Sequence, residues 1–173
     1  MVEQSIRNKN PQVLIAELED VIGVIIDAID SFPASLREQK LFGEFTLKDI
    51  LGHFSAWNWL TAINLMELKL GWHEYKWVGD DELDEFNAVQ VRQREDKPWK
   101  EVSQEFVQST EDVVDVYKRL TPEQYTGSYW PEPGYTVLHA IQADRDHFVE
   151  HLSDILKITS ETASTANPGM NRS

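Results

Sequence analysis

Asp144-Arg145-Asp146-His147-Phe148-Val149-Glu150-His151 is the stretch on which the reading of this chain turns. It sits inside a run whose apolar residues Leu138, Ile141, Phe148, Leu152 and Ile155 recur at helical spacing, which predicts a helix from near Thr136 to near Lys157. Two histidines four apart lie one above the other on a helix face, because the α-helix turns about 100° per residue. His147 and His151 therefore stand side by side at the flank of the apolar stripe, with Asp144 between His151 and the centre of the stripe, an unusual place for a carboxylate.

Working outward, the same period appears three more times. Leu14, Leu18, Val21, Ile25 and Ile29 predict a helix from Pro11 to about Ser31, and Phe32-Pro33 stops it, since the residue before a proline is driven out of the helical region. Thr46 is an expected N-cap with Asp49 three residues on, opening a second long helix that runs to about Leu70 and stops at Gly71. Its predicted stripe is Leu47, Ile50, Phe54, Trp57, Thr61, Leu65 and Leu68, with His53 at the stripe's edge and Trp57 one turn further on the same side. Pro98 is expected in the first turn of a third long helix ending near Leu120, with Val102, Phe106, Val113, Val116 and Tyr117 on its apolar side. Thr121-Pro122-Glu123-Gln124 reads as a capped helical turn.

Four long helices without an alternating strand pattern imply an all-α antiparallel four-helix bundle, with a long connection between the second and third long helices and a short helix expected there from Asp80 to about Arg94. A connection of that length inside a bundle is commonly functional. The bundle is expected to occupy residues 1–158, one domain by length, and the Ser/Thr/Ala/Asn/Pro/Gly composition of 159–173 reads as a flexible tail.

Composition narrows the function. Asp and Glu number 30 against 16 Lys and Arg, and a net charge of −14 repels phosphate backbones and anionic lipid, so nucleic acid and membrane surfaces are not expected partners. Cysteine is absent, which removes disulfides and thiolate ligands and leaves histidine and carboxylates as the metal-binding side chains. The first residues lack the apolar run of a signal peptide and no stretch reaches membrane-spanning length, so a cytoplasmic protein is expected. If His53 faces the His147/His151 pair, three imidazoles converge on one point and leave one side of a divalent ion open, as catalysis requires.

His53 within Asp49-Ile50-Leu51-Gly52-His53-Phe54-Ser55-Ala56-Trp57, then Leu83-Asp84-Glu85-Phe86-Asn87-Ala88, Pro98-Trp99-Lys100-Glu101-Val102 and the His147–His151 pair resemble, in order and spacing, the DinB-like four-helix superfamily, and most nearly its ClbS/DfsB branch. The similarity spans roughly residues 11–158. It implies that His53, His147 and His151 bind a divalent metal, zinc or nickel foremost. It implies a hydrolase or thiol transferase acting on a small, partly apolar molecule at water or a substrate atom in the open position, or alternatively a metal-free ClbS-type detoxification (self-protection) protein. Trp57, Asn87 and Trp130 are the expected substrate contacts, the last because loop aromatics at a bundle end often line ligand pockets. Asp144 is expected either to accept the outer N–H of a ligating histidine or to pair with Arg92, Arg94 or Arg119. His73 and His139 have no partner at ligand spacing, and a homodimer is a further expectation.

Overall fold

A computed structural model describes residues 6, 9–71, 78–79, 81–129 and 134–166, with the side chains of 163–166 excepted. His73 and the sequence-predicted substrate contact Trp130 lie outside them. The described elements are α1 (Pro11–Ser31), a 3-10 turn (Ala34–Leu36), α2 (Leu47–Lys69), α3 (Leu83–Arg92), α4 (Trp99–Lys118), α5 (Pro122–Thr126) and α6 (Val137–Ala166). Among the described residues the extended pairings are two isolated bridges, Phe42 with Phe45 and Ser128 with Thr136. The architecture is all-α, a bundle of α1, α2, α4 and α6 in which α2 packs on α4, α1 on α6, and α1 also meets α4.

Local chemistry sets the helix ends. Asn10 accepts from the Gln12 N–H at the start of α1, where Pro11 loses nothing by lacking its own N–H. Thr46 and Asp49 form a reciprocal capping box at the start of α2, and Thr121 and Gln124 do the same for α5. Gly71 takes φ +78°, the left-handed conformation that closes α2. Pro98 caps α4 from outside, one position before the predicted one.

Two expectations are corrected. The buried side of α2 keeps Leu47, Ile50, Phe54, Leu65 and Leu68 of the predicted stripe but widens to Leu51, Ser55, Asn58 and Ala62, while Trp57 and Thr61 are only partly buried. The reason is that α2 has neighbours on several sides: Asn58 Nδ2 donates to Ser109 Oγ (3.1 Å) across the α4 contact, while Trp57 turns toward α3, its ring 5.0 Å from Phe86. The second correction is α6, which runs past Lys157 to Ala166. Its last turns are rich in hydroxyls that fold back on the helix, Thr159 Oγ1 to Ile155 O (2.8 Å) and Thr162 Oγ1 to Ile158 O (2.8 Å), and no Gly or Pro interrupts it before Pro168. Ile158 also packs against the core, so 159–166 belong to a helix rather than to a tail.

Candidate metal centre

Each of two helices delivers a histidine beside a phenylalanine. Phe54 and Phe148 are fully buried and stacked, centroids 4.6 Å apart, and they fix the relative height of α2 and α6. That contact carries His53 and His147, their sequence neighbours, to the same level. His53 Nε2 lies 2.9 Å from His147 Nε2, and His151 completes a group whose ligand nitrogens all fall within 4.8 Å of one another. Phe54 supports the group from the core side, its ring 5.3 Å from that of His147 and 5.0 Å from that of His151.

The tautomer of His53 follows from the donors around it. An indole N–H can only donate, and Trp57 Nε1 donates to Asn87 Oδ1 (3.2 Å), so the oxygen of that amide faces the site. The same oxygen accepts from His53 Nδ1 (3.0 Å), which must therefore carry the proton. Nε2 of His53 is left with its lone pair pointed at His147. A residue on α3, with no buried side chain of its own in that helix, thus sets the protonation of a residue on α2.

The three rings are held neutral. Burial lowers the pKa of His53 to about 4, with repulsion from His151 adding to it against the Asn87 hydrogen bond. Burial lowers that of His147 to about 3, reinforced by His53 and His151. Burial lowers His151 as well, opposed by the nearby Glu150 and Asp154. Neutral imidazoles are the protonation state that binds a metal. The spacing fits too: two nitrogens each about 2.1 Å from one ion at angles of roughly 90–110° lie about 2.9–3.4 Å apart, so small side-chain shifts would bring all three nitrogens onto one ion.

The α3 segment is tied down by a glycine and an arginine. A Cβ on Gly52 would stand 2.6 Å from Arg94 Cδ, so the residue preceding His53 must be glycine for the Arg94 stem to cross α2. Buried Arg94 donates from Nε to Glu105 Oε2 (2.9 Å) and from Nη1 to the backbone and side-chain oxygens of Gln90. Lys97 also pairs with Glu105, and Lys48 Nζ caps the Glu95 and Lys97 carbonyls at 3.0 and 3.2 Å. These contacts lock the turn after α3 onto α2 and α4, and with it the position of Asn87.

A cavity of about 210 Å³ opens beside the histidines, lined by Phe45, Asp49, Ile50, His53, Asn87, Val91 and His151. Asn87, an expected substrate contact, lines this cavity. Trp57 stands behind Asn87 as its hydrogen-bond donor rather than in the cavity wall, and Trp130 lies outside the described residues. Asp144 pairs with none of the three arginines: Arg92 is bound to Glu85, Arg94 to Glu105 and Arg119 to Asp115. Its carboxylate instead accepts from buried Tyr117 Oη at 2.7 Å. Enclosure by protein raises its pKa to about 7, against the Tyr117 hydrogen bond that lowers it. His139 is a capping residue, its Nδ1 accepting from the Thr136 N–H (3.1 Å). Sequence reasoning did not mark Phe45, Ile50 and Val91 as cavity residues. The visible sign for the first is two phenylalanines flanking Gly43-Glu44, a tight turn with Gly43 at φ +65°.

No family model and no curated protein matches this chain. The fold is similar to that in a crystal structure of an uncharacterised protein from Escherichia coli UTI89, with a TM-score of 0.75 over 90% of this chain and 95% of that one. At 13% identity the likeness is one of fold.

Proposed function

We propose that this protein is a metal-dependent enzyme of the DinB-like type, nearest the ClbS/DfsB branch, that acts in the cytoplasm on a small, partly apolar molecule by hydrolysis or thiol transfer. The observation that carries the reading is the convergence of three neutral imidazoles in which Asn87 leaves His53 Nε2 as a bare lone pair. His53, His147 and His151 would hold a divalent ion, zinc or nickel, and Asn87 would keep His53 in the ligating tautomer. When bound, such an ion supplies Lewis-acid activation of water or of a substrate heteroatom. The chain's own contribution is placement and exclusion. Phe45, Ile50 and Val91 give the cavity apolar walls that favour an apolar substrate surface and displace water from it. Asp49 directs Oδ2 at the Thr46 N–H and hydroxyl, both at 2.8 Å, which makes it a part of the α2 cap that also forms wall.

One observation favours a second reading. A His147 Nε2–H donating to His53 Nε2 across 2.9 Å satisfies both rings without an ion, as a metal-free ClbS-type binding and detoxification protein would need. Metal content by plasma mass spectrometry on untagged protein, wild type beside His147→Ala, separates the two. Near-stoichiometric metal lost in the variant supports the enzyme. No uptake by either protein after incubation with zinc and nickel overturns it in favour of the metal-free pocket.

A further inference from the structure

The helical period that places His147 and His151 on one face of α6 continues through Asp154, Ile158 and Glu161, at steps of three and four. Because α6 runs to Ala166, this stripe extends for about 15 Å beyond His151 at 1.5 Å per residue. It forms one wall of a second cavity, of about 370 Å³, whose opposite wall is the turn bearing Phe42 and Phe45. That turn is held by reciprocal backbone hydrogen bonds between Phe42 and Phe45, of 3.1 and 3.2 Å. Phe45, Ile50 and His151 line both this cavity and the 210 Å³ cavity at the imidazoles, so the two adjoin at these three side chains, of which Phe45 is 41% exposed.

We propose that the outer cavity binds the remote end of the molecule whose reacting end meets the imidazoles, and that this end is an apolar chain terminating in a cationic, amine-type group. The inference rests on the reading of the inner cavity as a small-molecule site and adds to it the class of substrate. Leu41, Phe42, Phe45 and Ile158 offer an apolar surface to a chain. Lys157 stands three residues after Asp154 and four before Glu161, so its charge is offset by one carboxylate and the other remains to meet a cation. An anionic end would meet that carboxylate within a chain of net charge −14. Binding energy gathered in the outer cavity would hold the reacting end at the imidazoles.

The test is a titration of the full chain, followed by ¹H–¹⁵N spectra, with n-butylammonium, n-octylammonium and n-octanoate below their micellar concentrations. Octylammonium is expected to shift amides at Phe42–Phe45 and at Asp154–Glu161. It should bind at least about tenfold more tightly than butylammonium, since each further methylene removed from water contributes a factor of up to about four, and about tenfold more tightly than octanoate. The exposed pair Asp154→Lys/Glu161→Lys should reverse the preference to octanoate. Equal affinity for the two octyl ions, affinity independent of chain length, or shifts confined to the separate cavity around Ile26 and Val107 would each overturn the proposal. The titration needs no metal, so its outcome is separate from that of the metal measurement. Metal bound without chain-length dependence removes this inference alone, and chain-length dependence without metal removes the three-histidine centre alone.

Discussion

Two groups of enclosed polar atoms are built around α6, Asp144 standing about one and two turns before His147 and His151, and they differ in what they lack. At Asp144 the account closes within the protein: one tyrosine hydroxyl, fully buried, donates to one carboxylate. At His53, His147 and His151 it does not close in the same way. Three ring nitrogens face one another, one of them certainly without a proton, and the side chains lining the adjoining cavity include no lysine or arginine to supply one. A satisfied donor–acceptor pair knits two helices together and is finished. Convergent ring nitrogens beside a cavity, one of them with a bare lone pair, have the geometry that a cation would use, and on that difference the proposed function rests. The two also respond to pH in opposite senses. The imidazoles, with folded pKa values depressed to about 4 and about 3 at His53 and His147, give stability that is present above pH 6.5 and lost as pH falls toward those values. Asp144, raised to about 7, gives stability that is fully present below its unfolded value of 3.8 and lost as pH rises through about 7.

The comparison breaks most directly at His147. His147→Ala should abolish tight zinc binding, with a loss of affinity beyond the 10–100-fold that an orienting partner is worth, read by competition with a chromophoric chelator. Asp144→Asn should leave that affinity within about twofold if the Asp144 pair is only structural; a loss of tenfold or more would tie the aspartate to the metal centre. Asn87→Ala frees His53 to take either tautomer and should weaken zinc binding by roughly 10–100-fold, with little change in the urea midpoint.

Gly52→Ala sharpens the contrast from the scaffold side. The added Cβ must displace Arg94 from Glu105 and Gln90, at a cost of about 1–3 kcal/mol that exceeds the helix-propensity gain of about 1 kcal/mol, measured by urea denaturation. Tyr117→Phe leaves the Asp144 carboxylate without its donor and should lower stability by about 1–3 kcal/mol, more at pH 8 than at pH 5 because the carboxylate is then charged. The smallest effect is in the slope of stability against pH. Between pH 5 and 8 metal-free Asp144→Asn should lose less stability than wild type as pH rises, and an unchanged slope would show that Asp144 ionises normally.

The sequence by itself determined the helices of this protein and the residue types of its site. Apolar residues at a period near 3.6 place α1, α2, α4 and α6, and the Thr46/Asp49 and Thr121/Gln124 boxes mark ends to the residue, because capping is a contact between residues three apart. The i, i+4 spacing of His147 and His151 is local in the same sense. What only the tertiary structure decided depends on contacts between residues far apart in the chain. The wide buried surface of α2, with Trp57 left partly exposed at its edge, follows from the number of helices packed around it. The partner of Asp144 is a tyrosine 27 positions away, where the sequence pointed to a ligating histidine or an arginine. The proton on His53 is set by an indole and an amide that meet across α2 and α3. The turns of α6 beyond Lys157 have the composition of a tail, yet their hydroxyls bond within the helix and Ile158 finds a hydrophobic neighbour. Periodicity reports which residues a helix can bury, and only packing decides what they are buried against.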